Sequence, residues 1–190
     1  MSMKDIIRKI ENDPHNRQFT QLGIKPLFTM SPEAKILIIG QAPGLKAQES
    51  KQLFNDPSGD ILREWLGINR ELFYDSNLIA ILPMDFYYPG KTKSGDKPPR
   101  SFFAKQWHPY LIEQMPNIEI TLLVGRYAQA HYIADFTNLT NTVKHYQDYL
   151  PQYFPLVHPS PRNFRWHAKN PWFKQEVIPH LQKLIYTIVT

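Results

Sequence analysis

The stretch "KILIIGQAPG", residues 35–44, decides the architecture. Four consecutive apolar residues follow Lys35, and the chain then meets Gly40, Pro43 and Gly44 in close succession. An unbroken apolar run of this length, stopped by Gly and Pro, predicts a strand over 35–39 that is buried on both faces, as in a parallel sheet covered by helices. The turn that ends it is stiff and lets another group approach the backbone closely.

Working outward, Ile6, Ile7 and Ile10 put one apolar face on a short helix over residues 3–11. After the turn, Ser58 stands where it can cap a helix whose Ile61, Leu62, Trp65 and Leu66 form a buried stripe. An extended segment is expected over 73–82, a helix over 107–114 and a third strand in "IEITLLVG", residues 118–125. Helix is expected next in "RYAQAHYIADF" (126–136), then a fourth short strand in "YFPLVH" (153–158), then a closing helix over 171–189 bent at Pro179. Alternating strands and helices predict an α/β three-layer sandwich with a short, mainly parallel four-stranded sheet. Ligands in such sheets sit beyond the carboxyl ends of the strands. The turn after Ile39, the loop after the second strand and the loop after Val157 should therefore share one crevice.

The 190 residues suit one domain, 1–190, with 42% hydrophobic and 21% charged residues and no repeat or low-complexity tract. The 17 prolines cluster around 83–116 and 151–179, where long ordered loops are expected. The absence of cysteine excludes disulfides, thiolate metal sites and any iron–sulfur cluster held by this chain. The charged N-terminus lacks the apolar centre of a signal peptide, and no window of about 18 apolar residues exists, so a cytoplasmic monomer is expected. "NLT" at Asn138 then reads as ordinary surface sequence.

A formal net charge of +5 favours a polyanionic partner. Its distribution says more than its sum. Lys91, Lys93, Lys97, Arg100 and Lys105 lie in one Pro-rich stretch, and Arg162, Arg165, His167 and Lys169 in another, both interleaved with aromatics.

Two phosphate-binding motifs fail on their residues. "PGKT", 89–92, ends like a nucleotide-binding loop, but Asp85 stands where Gly is required and Phe86, Tyr87, Tyr88 and Pro89 fill the loop. "GQAPG" lacks the glycine spacing of a dinucleotide fingerprint, and Pro43 removes a backbone donor. A more telling stretch is "LVHPSPRN", 156–163, where His158 leaves a buried strand and enters a loop stiffened by Pro159 and Pro161.

Together, "GQAPG" after the first strand and "HPSPRN" after the last resemble the two signature motifs of the uracil-DNA glycosylase superfamily. "FNDPSGDILREWLGI" and "DSNLIAILP" extend the resemblance across most of residues 36–168. The second motif is more similar to the single-strand-selective branch, and the first to the iron–sulfur branch. The resemblance implies a DNA glycosylase that flips a damaged base, most simply uracil, and hydrolyses its N-glycosidic bond without metal or cofactor. It assigns Phe54 as the platform on which the base stacks and Asn77 as the amide that reads the base edge. His158 would hydrogen-bond the uracil O2, where negative charge grows as the bond breaks. Gly40, Gln41 and Ala42 would line the base pocket. Pro159, Ser160, Pro161, Arg162 and Asn163 would press on DNA, with Arg162 as the wedge that fills the vacated space.

The resemblance breaks at one place. Much of the superfamily carries Asp, Glu or Asn in the first motif to position water, and here Gln41 and Ala42 supply no general base. Slow uracil release with Gln41 orienting the water, a different base, or binding without catalysis all fit that departure.

Overall fold

Residues 2–190 are described in the computed structural model. The chain opens with α1 (Met3–Asn12) and α2 (Arg17–Gln21), then β1 (Ile36–Ile39), α3 (Leu45–Ser50), α4 (Pro57–Leu66) and α5 (Arg70–Asp75). Next come β2 (Ile79–Ile81), a two-stranded hairpin of β3 (Lys91–Thr92) and β4 (Gly95–Asp96), α6 (Phe103–Ile112) and β5 (Ile120–Val124). The last part holds α7 (Arg126–Tyr132), α8 (Leu139–Lys144), β6 (Tyr153–Leu156), α9 (Phe164–Lys169) and α10 (Ile178–Val189).

Four strands form one parallel sheet in the order β2-β1-β5-β6. β1 pairs on both edges, Ile38 lying opposite Ile81 on one side and Leu122 on the other. Its side chains alternate between two cores. Ile36 and Ile38 pack with Leu62 and Trp65 of α4 and Leu181 of α10, whereas Leu37 and Ile39 pack with Ile6 of α1 and Trp107 of α6. A strand covered on both faces has no use for polar residues, which is why it reads as a continuous apolar run. The three-layer α/β sandwich is present, and its four-stranded sheet is parallel throughout. Among the described residues, no helix is long and apolar enough to cross a membrane.

Three local expectations need correction. α4 is capped by Asp56, not Ser58: the Asp56 carboxylate accepts from the Gly59 N–H at 2.9 Å, and Pro57 occupies the first helical turn. Proline there has its φ preset and gives up a donor that would go unpaired anyway, so the helix starts earlier. The segment 73–82 is not extended throughout. Asn69 caps α5 by accepting from the Leu72 N–H at 2.8 Å, and only Ile79–Ile81 remain as strand. α6 begins at Phe103 because the apolar stripe of Phe103, Ala104, Trp107, His108 and Leu111 starts there.

Two buried polar ties hold the region between β2 and α6. Arg100 clamps Asp85 through Nε (2.6 Å) and Nη2 (2.8 Å), and its Nη1 reaches the His15 carbonyl and the Asn16 side chain. His108 sits inside the core, with Nε2 2.9 Å from the Pro83 carbonyl and Nδ1 2.6 Å from the Tyr132 hydroxyl. A carbonyl can only accept, so Nε2 carries the proton and the Tyr132 hydroxyl donates to Nδ1. Burial lowers the pKa of this imidazole to about 4. At neutral pH it is therefore an uncharged brace on the loop that follows β2.

Candidate active site

Because the four strands run the same way, their carboxyl ends share one edge of the sheet. From that edge emerge Gly40 after β1, Pro83 after β2 and His158 after β6. All three line one cavity of about 390 Å³. Gln41, Ala42, Phe54, Asp56, Ser160 and Arg162 also line it. The two motif loops, more than a hundred residues apart, thus meet.

One wall is built around Phe54. A β-carbon at Gly40 would lie 3.4 Å from Phe54 Cζ, so the ring passes close over a backbone that has no side chain to obstruct it. The Gly40 carbonyl accepts from the Met84 N–H at 2.9 Å, which ties the turn to the loop after β2. Phe54 itself has φ +55°, a left-handed conformation that costs a non-glycine residue roughly 1 kcal/mol or more. Its surroundings hold it there. Arg63, buried in α4, donates to the Phe54 carbonyl at 3.1 Å and to the Tyr74 hydroxyl at 3.2 Å, and that hydroxyl donates to the Leu53 carbonyl at 2.8 Å. Gly59 is required as well, since a β-carbon there would overlap the Phe54 carbonyl oxygen.

The facing wall is the loop after β6. Ser160 accepts the Arg162 N–H at 3.2 Å and starts a 3-10 turn over Pro161–Asn163. The Asn163 amide donates to the His158 carbonyl at 2.7 Å and closes the loop on itself. The His158 imidazole is driven toward its neutral form by burial, against the opposing pull of the Asp56 carboxylate. A neutral imidazole still has one N–H to donate into the cavity.

The charges at the mouth are of both signs. Asp56 and Asp96 bring carboxylates, Lys97 and Arg162 bring cations. Asp56 bonds the helix through one oxygen, Oδ1, while it lines the same cavity as His158. Neither signature motif contains it. Its signal is the Asp-Pro pair two residues past Phe54, an N-cap followed by a first-turn proline.

Several expected site residues sit elsewhere. Asn77 does not reach the cavity: it precedes β2 and is exposed at the amino edge of the sheet, opposite the edge from which His158 emerges. In a parallel sheet a residue ahead of a strand and one behind it are separated by the strand's full length. The residue that β2 does present to the cavity is Pro83. Pro159 is buried, leaving Pro161 and Arg162 as the exposed part of the loop, and the Asn163 amide is engaged internally. Arg100, counted with the basic stretch, is bound to Asp85.

The model of the uracil DNA glycosylase superfamily matches residues 28–182. The solution NMR structure of a candidate uracil DNA glycosylase from Methanosarcina acetivorans is similar at 16% identity, covering 80% of this chain and 94% of that one with a TM-score of 0.44.

Proposed function

Since the chain belongs to the uracil DNA glycosylase superfamily, we propose that it is a DNA glycosylase that draws a damaged base, most simply uracil, into the Gly40–His158 cavity and hydrolyses its N-glycosidic bond. The observation that carries this reading is the meeting of Phe54, Gly40 and His158 in one cavity. A base stacked on Phe54 gains aromatic contact that any nucleobase can make, and Gly40 leaves room for it.

His158 supplies the chemistry. As the C1′–N1 bond breaks, its electron pair moves onto the base, and an imidazole N–H aimed at O2 stabilises that charge more than it stabilises the ground state. Burial keeps the imidazole neutral, so the donor is in place before the reaction begins. Water then adds to C1′, and its proton passes to a base. Gln41 can only orient that water, but Asp56 can accept the proton, and it restores the carboxylate that the first motif lacks. Arg162 fills the gap in the duplex, and Lys97, with Lys91 and Lys93 on the exposed hairpin, contributes salt-sensitive backbone affinity.

A panel of single- and double-stranded oligonucleotides bearing uracil, hypoxanthine, xanthine or a thymine mismatch tests the reading. An alkali-labile abasic site should appear with uracil and form about 10²–10³-fold more slowly in His158→Ala. The second reading, a binder without catalysis, draws support from Gln41 and Ala42, which line the cavity and supply no general base. Tight binding of uracil-containing DNA with no abasic site at stoichiometric protein decides for the binder.

A further inference from the structure

A second groove, about 560 Å³, lies between α4 and α9. Trp65, Pro161, Phe164, His167 and Lys174 line it, and it shares Ser160 with the base cavity, so the two hollows adjoin. Phe164 is 65% exposed, a large ring in water at the first position of α9. The Arg165 guanidinium lies 5.7 Å from its centroid.

We propose that this groove is a stacking subsite for the nucleobase next to the extruded one in the same strand, with Phe164 as its platform. The proposal rests on the glycosylase reading above. Spacing supports it: Phe164 opens α9 directly after the 3-10 turn, two residues past Arg162, a rise of roughly 3–4 Å, and one nucleotide step advances a strand by about 3.4 Å. With Arg162 at the vacated position, the Phe164 groove lies about one nucleotide step away, on the other side of Ser160. Charge supports it on one side of the groove: the Arg165 guanidinium lies over the Phe164 ring and Arg162 lines the adjoining base cavity, whereas within the groove Lys174 is balanced by Glu64. A phosphate backbone leaving the base cavity on the side of the exposed Arg162 and Arg165 meets two cations there. An aromatic slab with a cationic rim is what sequence-independent binding of single-stranded nucleic acid uses.

The test uses full-length protein and DNA carrying one 2′-fluoro-2′-deoxyuridine, which resists cleavage, with 2-aminopurine placed on its 5′ or its 3′ side. Wild type should quench the 2-aminopurine at one of the two positions. Phe164→Ala and Phe164→Leu should abolish that quenching and weaken binding about tenfold, and Phe164→Tyr should restore both. Unchanged quenching and affinity in Phe164→Ala would overturn the subsite, as would full affinity in Phe164→Leu, which keeps the apolar contact and loses the ring. A wild-type dimer in sedimentation that Phe164→Ala dissociates would also overturn it, by assigning the groove to a second copy. The glycosylase reading fails separately, if wild type neither binds the fluorinated DNA nor cleaves the deoxyuridine equivalent.

Discussion

The two basic, aromatic, Pro-rich stretches are alike in composition but place their arginines and aromatic rings oppositely. The two ends of residues 83–106 turn inward around the exposed Lys91–Asp96 hairpin: Phe86, Tyr87 and Phe103 are buried, and the Arg100 guanidinium is clamped on Asp85, itself 1% exposed, and lies 4.7 Å from the Phe103 ring centroid. Residues 158–169 turn outward beyond Pro159, leaving Arg162, Phe164 and Arg165 exposed. The difference lies in the company of the cations. The inward stretch contains Asp85, whereas "HPSPRNFRWHAK" contains no carboxylate at all. Charge and aromatic content alone therefore do not mark a DNA-facing loop, and a local partner for the arginine decides which way it faces.

The comparison breaks most sharply at Arg100. Truncating it to Ala leaves Asp85 buried without its counter-ion, which costs about 3–5 kcal/mol. Thermal denaturation should show a fall in Tm on the order of 10 °C. A Tm within 2 °C of wild type would mean that this stretch is as free as the other.

In the outward loop the largest effect falls on rate. His158→Ala should slow single-turnover base release by about 10²–10³-fold, with Tm lowered much less than by Arg100→Ala. The pH profile sharpens this point. Because the folded pKa of His158 is lowered by burial, the rate should show no histidine inflection at 6.5 as pH falls. An inflection at or above 6.5 would place the imidazole in water.

His108 gives the inward region a pH signature. Its folded pKa, about 4, lies below the unfolded value of 6.5, so between those values the unfolded chain binds the extra proton. Stability is full above pH 6.5 and is lost as pH falls toward 4, by about 3 kcal/mol in all. His108→Gln, measured by denaturant titration at pH 7 and pH 5, should be less stable than wild type at pH 7 and show a smaller drop between the two. The smallest effects belong to Arg162→Ala and Arg165→Ala. Each should leave stability within about 0.5 kcal/mol and lower the salt slope of DNA binding by about 0.9 per lost phosphate contact.

Much of this arrangement was legible in the sequence, for a physical reason. Gly40 follows β1 directly and His158 follows β6 with one residue between, and parallel strands bring such positions to one edge whatever their separation along the chain. Phe54 was legible as a ring but not as a left-handed residue, because Arg63, Tyr74 and Gly59, which hold it there, act through backbone atoms that no pattern displays. Asn77 was misjudged because β2 is only three residues long and starts after it. Read as strand from residue 73, the same asparagine falls within the sheet rather than ahead of it. Asp56 was hidden behind Ser58, a residue equally able to cap a helix but one that Pro57 leaves inside the first turn.

The most direct measurement is a crystal structure with DNA carrying 2′-fluoro-2′-deoxyuridine. The uracil ring is expected out of the duplex, stacked on Phe54, with its O2 about 3 Å from an imidazole nitrogen of His158. A base that stays in the helix, or that binds anywhere other than the cavity between Gly40 and His158, contradicts that expectation.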